Sequence, residues 1–427
     1  MKKLVAKIFP LAMCAVMVLG SIGFAGCGSE PDLRIYNCFD YIDMTLIDKF
    51  EQEYEERTGK KITVEYDTFD TPEDCYNQLR IYPDHFDLVC PSDYMIEKMA
   101  KEDMLEEISM SEDGAYRTYV SPFIDNTFNN ITWGDKSIAD YAAGYMWGTL
   151  GLVYKASTVS ADDMKSWTSL WDSKYQGKFT IKDSVRDTYF IGLAKYYNED
   201  LLDYKAAYES SDDLNAYQAS LKTALNDTSE ATVNAVKTLL LDLRSKSYGM
   251  EVDSGKDDII NGRTEIYFAW SGDAVYAMDE ADALEKPVTL NYSVPEEGSN
   301  IWFDGWCVPK GAKNKDLALE FIDFISTPEN VITNMEYIGY TSCIAGDEIF
   351  DWVTENFSTE EGDEVDLSYF FATNGSSNTY TVINNIHGRQ FETLYPSEDI
   401  IKRCVVMNYF PDDANDRITD MWIEVTA

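Results

Sequence analysis

Asp304 is the residue of this chain hardest to explain by folding alone. It stands inside the apolar run Ile301-Trp302-Phe303-Asp304-Gly305-Trp306, where a carboxylate without a partner is costly. That cost favours a functional role for it. Other acids, hydroxyls and rings fall at the ends of strand-like runs: Asp40 with Tyr41, Ser92 with Tyr94, and Asp273 just after Trp270-Ser271-Gly272. Each also has a plain structural reading. Tyr41 and Tyr94 suit strand-end packing, Ser92 a helix N-cap, Asp273 a turn, and Trp270 and Trp302 a core. Asp187 suits the first turn of a helix.

What is missing narrows the chemistry open to these residues. Two histidines, His85 and His387, leave little for a zinc site or for histidine-based hydrolysis. The cysteines beyond the first 27 residues, Cys38, Cys75, Cys90, Cys307, Cys343 and Cys404, are widely spaced and form no CxxC. There is no GxSxG, no phosphate-binding loop and no GxGxxG after a strand. Neither a metal nor a cofactor is expected. Acidic residues number 76 against 35 basic ones, a formal net charge of −41, which disfavours nucleic acid and anionic substrates as partners. Paired acids are so common here that they carry little weight for the rival reading of an extracellular carboxylate-based hydrolase.

The elements that must position these side chains form an α/β pattern. Leu33–Cys38, Ile62–Tyr66 and Phe86–Pro91 read as strands, alternating with helices over Thr45–Thr58, Pro72–Arg80 and Ser92–Lys101. Gly59 ends the first helix, and Thr71 opens the second with Pro72 at its first position. Strands and helices in this order imply a parallel sheet whose ligands collect at the carboxyl ends of the strands. Asn37–Tyr41 and Pro91–Tyr94 lie at two such ends. Tyr145–Tyr154 reads as a crossover strand. Lys178–Asp183, Glu265–Trp270, Val288–Val294 and Ile301–Val308 read as later strands, and residues 196–245 as mostly helical. The length of 427 residues exceeds what one core usually supports, so two domains are expected.

The first residues address the chain outside the cell. Lys2, Lys3 and Lys7 precede an apolar run, Ile8–Val18, shorter than the roughly 20 residues a spanning helix needs. Phe24-Ala25-Gly26-Cys27 follows, so residues 1–26 read as an export signal. The site resembles the lipobox of bacterial lipoproteins, with Phe24 where Leu is usual. On that likeness Cys27 is lipidated, residues 27–32 form a tether, and the protein sits on the outer face of the cell membrane, in the periplasmic space or at the cell surface.

Several segments in order carry a wider likeness: Ile35–Tyr41, Phe86–Tyr94, Met146–Gly151, Ser166–Trp171, Asp183–Asp187, Trp270–Asp273, Ile301–Asp304, Ala312–Lys315 and Ile338–Tyr340. In these the chain resembles the spermidine/putrescine-binding proteins of polyamine ABC transporters. The resemblance implies an α/β, type II periplasmic-binding-protein fold, with two lobes joined by a hinge and a ligand cleft between them. It implies discontinuous lobes, one of residues 33–145 plus about 300–340, the other of 146–299 plus about 341–427. It implies a monomeric binding protein rather than an enzyme, with a polyamine as ligand and permease subunits as partners. The family's ligand contacts fall here on Asp40, Tyr41, Ser92, Tyr94, Asp187, Trp270, Asp273, Trp302, Asp304 and Tyr340. A polyamine needs rings for its methylenes and carboxylates for its ammonium groups, and this set supplies both.

Three positions depart from the family. Cys38 replaces a usual Trp, Ser184 replaces an acid of the spermidine-type members, and a late Gln contact falls on Met407. Asp40 and Asp273 with Ser184 look more like the putrescine-type members, so putrescine and spermidine both stay open. A same-fold protein for another ligand, such as an amino acid, is the nearer rival. An amino acid needs a base for its carboxylate, and Arg186 is the candidate.

Overall fold

The computed structural model describes residues 30–372 and 378–427. The expected signal and residues 27–29 of the tether lie outside the described residues, as does most of the polar stretch 373–379.

The amino-terminal third alternates as its patterning predicts: β1 (Leu33–Cys38), α1 (Thr45–Thr58), β2 (Val64–Phe69), α2 (Pro72–Ile81), β3 (Leu88–Val89) and α3 (Asp93–Lys101). Gly59 closes α1 at φ 73°, a left-handed turn that glycine adopts without strain. Thr71 and Asp74 cap α2 reciprocally, with Pro72 in its first turn. β1 runs parallel to both β2 and β3. Two strands differ from expectation. β2 is displaced toward Phe69, and the ladder of β3 covers only Leu88 and Val89, although the run around it is buried.

A single long strand organises the rest. β4 (Ala142–Lys155) is buried along almost its whole length, which its apolar, glycine-containing sequence permits. Beyond it come β5 (Phe179–Lys182), α4 (Val185–Tyr196), β6 (Gly249–Glu251), α5 (Gly255–Ile260), β7 (Ile266–Trp270), α6 (Ser271–Ala283), β8 (Ser299–Cys307) and α7 (Pro328–Ile338). The strand order is β2-β1-β3-β8-β4-β7-β5-β6. The first half of β4 pairs antiparallel with β8, and its second half, from Leu150, pairs antiparallel with β7. β4 therefore links a parallel unit built on β1 to another built on β5, β6 and β7.

Buried apolar residues divide into two clusters. The smaller gathers Trp167, Phe179, Phe190, Leu240 and Phe268, and the chain from Val405 to Val425 joins it. The larger contains the β1–β3 unit, much of α6, and the segment from Ile349 to Tyr395. Cys38, Cys75, Cys90, Cys307, Cys343 and Cys404 are all unpaired. Among the described residues no helix is long and apolar enough to cross a membrane.

Candidate functional site

A cavity of about 350 Å³ opens where β1, β8 and the amino termini of α3, α4 and α6 converge. Asp40, Tyr41, Ser92, Tyr94, Asp187, Trp270, Asp273, Trp302, Asp304 and Tyr340 all line it. Cys38, Phe39, Ser184 and Met407 stand in the same wall.

Local backbone features aim these side chains. The pairing of β8 with β4 shifts register between Phe303 and Gly305: Tyr145 and Met146 of β4 face the single Asp304, so β4 carries the bulge, and Asp304 shares the cavity face of β8 with Trp302 two positions away. There it bridges to Ser92. Ser92 occupies the N-cap position of α3 without a capping side-chain bond; its hydroxyl donates to Asp304 instead. Asp40 holds a left-handed backbone, φ 54°, which aspartate tolerates better than most residues. Asp187 and Asp273 each lie in the first turn of a helix, where the helix dipole favours a negative charge. Gly272 lets Tyr340 close over the start of α6, since a Cβ there would come within 2.1 Å of the ring. Gly148 likewise makes room for Trp302.

The rings form a connected wall. Tyr41 meets Tyr340 edge-on at 5.0 Å between centroids, and Trp302 meets Tyr340 at 5.7 Å. The carboxylates fall into two differently treated sets. Tyr41 Oη donates to Asp304 at 2.6 Å. Burial nonetheless pushes the Asp304 carboxyl up to about 6, with the charge of Asp187 adding to the rise and the bonds from Tyr41 and Ser92 opposing it. Burial also raises Asp187, against the pull of Ser184, Lys182, Trp270 and Arg186. Burial would raise Asp273 too, but Lys182, Lys256, Tyr267 and Tyr340 outweigh it and hold that carboxyl below the usual range. Desolvation, more than repulsion among acids, thus sets the unusual titration at the Asp304 end.

The lysines beside Asp273 escaped the sequence reading. Lys182, wholly buried at the end of β5, donates to Tyr267 Oη and to the Val252 carbonyl, both at 2.7 Å. Its Nζ also lies 3.4 Å from Asp273, 3.5 Å from Glu251 and 3.9 Å from the centre of the Trp270 ring. Lys256, on α5, lines the cavity and pairs with Asp40 at 3.2 Å and Asp253 at 2.7 Å. A charge closing an apolar strand was the signal available for Lys182, the same anomaly that marks Asp304. Lys256 had none. Arg186 does not hold a neighbouring carboxylate by a hydrogen bond. Its guanidinium donates to Asn226 at 2.8 Å and stacks over Phe410 at 4.5 Å.

Among known proteins, the model of the bacterial extracellular solute-binding protein family matches residues 45–349. The spermidine/putrescine-binding periplasmic protein of Escherichia coli (strain K12) is 27% identical over 332 residues, covering 77% of this chain and 82% of the relative. The putrescine-binding periplasmic protein SpuD of Pseudomonas aeruginosa is 24% identical and covers 99% of both chains. The solved substrate-binding protein of a Streptococcus pneumoniae spermidine/putrescine ABC transporter superposes with a TM-score of 0.61 at 25% identity, covering 92% of this chain and 98% of that one.

Proposed function

Since the chain belongs to the bacterial extracellular solute-binding protein family, we propose that it is the capture component of an ABC importer, taking up a polyamine and presenting it to the permease. Putrescine and spermidine are the two candidates. The observation that carries this reading is the convergence of five rings and four carboxylates on one cavity: Tyr41, Tyr94, Trp270, Trp302 and Tyr340 with Asp40, Asp187, Asp273 and Asp304. Rings shield the methylenes of such a ligand and attract its ammonium groups, worth about 2 kcal/mol each where water is excluded. Carboxylates neutralise charges that would otherwise be prohibitive to bury.

Two α/β lobes close on the ligand about a hinge, and contacts completed only in the closed form supply the drive. Affinity in the micromolar range, about −8 kcal/mol, fits a protein that must also release its cargo. Cys27, cut free of an export signal and lipidated, tethers a monomeric protein to the outer face of the cell membrane. The amino-acid alternative rests on Arg186, which lines the cavity, donates to Asn226 and stacks over Phe410, and whose Nε and Nη1 have no hydrogen-bond partner among the described residues.

Native mass spectrometry of gently purified protein, followed by calorimetric titration, tests the reading. The expected result is a retained mass matching putrescine or spermidine and saturable binding of one or both. Binding of amino acids but of neither amine would overturn it.

A further inference from the structure

Two ammonium groups of the protein itself already stand among the cleft acids. Lys256 Nζ bridges Asp40 and Asp253 at 3.2 and 2.7 Å, across 216 residues of sequence in the first case. Lys182 Nζ lies against Asp273 and over the Trp270 ring, the geometry a bound ammonium would take on the same pair. Both Asp273 oxygens are also occupied, Oδ1 by Tyr340 and Oδ2 by Tyr267. The other end of the cavity differs. Among the described residues no lysine or arginine forms an ion pair with Asp187 or Asp304; the charges of Lys182 and Arg186 act on Asp187 from farther off, and burial raises the carboxyl of Asp304.

We propose that Lys256 and Lys182 determine specificity by filling ammonium positions at the Asp40–Asp273 end, leaving Asp187 and Asp304 as the one anionic end open to ligand, so that the cleft selects a short diamine over a longer triamine. This rests on the polyamine reading above. A triamine laid along the cavity brings a second and third charge toward Lys256 Nζ, and like charges repel strongly where water is scarce. It must displace Lys256 from Asp40 and Asp253, whereas a short diamine can set its two ammonium groups against Asp304 and Asp187 and stay clear of Lys256. Lys182 cannot move aside in this way, because it is wholly buried and satisfied by four polar partners.

Calorimetric titration of putrescine and spermidine into the native protein, Lys256→Met and Lys256→Arg decides the matter. The native protein should bind putrescine at least as tightly as spermidine. Lys256→Met should shift the ratio of the two dissociation constants toward spermidine by tenfold or more, and Lys256→Arg should leave it near the native value. Lys256→Gln repeats the measurement should the methionine variant not fold, as judged by its melting transition. A ratio changed by less than twofold in the uncharged variants, or a native preference of tenfold or more for spermidine, overturns the proposal while leaving polyamine capture intact. Failure of every form to bind either amine removes both.

Discussion

Replacing Asp304 by Asn should move ligand affinity and ligand-free stability in opposite directions. In the native protein burial lifts this carboxyl to about 6, against an ordinary value near 3.9. A shift of roughly two pH units corresponds to about 3 kcal/mol. The folded state holds its proton more tightly than the unfolded chain. The group's contribution is therefore fully present below about pH 4, declines as pH rises, and is lost above about pH 6. At pH 7.5 the empty protein carries an ionised, desolvated carboxylate that destabilises it. Asparagine can still accept from Tyr41 Oη, which now donates at 2.6 Å, but has no charge to desolvate. Ligand-free Asp304→Asn should then unfold at higher urea than the native protein at pH 7.5, by up to about 3 kcal/mol, and the difference should vanish near pH 4. Its affinity for putrescine should fall by about 2–5 kcal/mol, the cost of removing one partner of a buried charge pair. Native binding should likewise weaken as pH drops below 6, by up to about tenfold per unit. Glu209→Gln, on an exposed helix face, is the control and should change affinity by less than about 0.5 kcal/mol. Native-like affinity in Asp304→Asn would refute the site. Lost binding together with lower ligand-free stability at pH 7.5 would refute the electrostatic account of it.

Three further perturbations probe neighbouring links. Gly272→Ala places a Cβ within 2.1 Å of the Tyr340 ring, so it should push Tyr340 off Asp273, destabilise the fold by about 1–3 kcal/mol in urea titration, and weaken amine binding. Lys182→Met leaves Glu251 and Asp273 buried without their cation, and should cost about 3–5 kcal/mol of stability, read from the same titration at neutral pH. Cys27→Ala should shift the protein from the membrane fraction to the soluble extracytoplasmic fraction on cell fractionation, with amine binding unchanged.

Much of the architecture was open to sequence reasoning because its causes are local. The capping of α2, the glycine stop of α1 and the apolar length of β4 each follow from residues within a few positions of one another. Asp304 announced itself for the same reason, as an acid set among apolar neighbours. The other cleft residues were named through the resemblance, since a tyrosine or aspartate at a strand end looks alike whether it packs or binds. What the tertiary structure alone decided was which charges meet. Lys256 reaches Asp40 across 216 positions and Tyr41 reaches Asp304 across 263, and no local pattern records a contact of that span. The bulge on β4 opposite Asp304 arises from a register mismatch between two distant strands. The unequal titration of Asp273 and Asp304 follows from where two lysines come to rest. Residue type is written in the chain, but electrostatic environment depends on burial and on distant neighbours, and both exist only once the chain has folded.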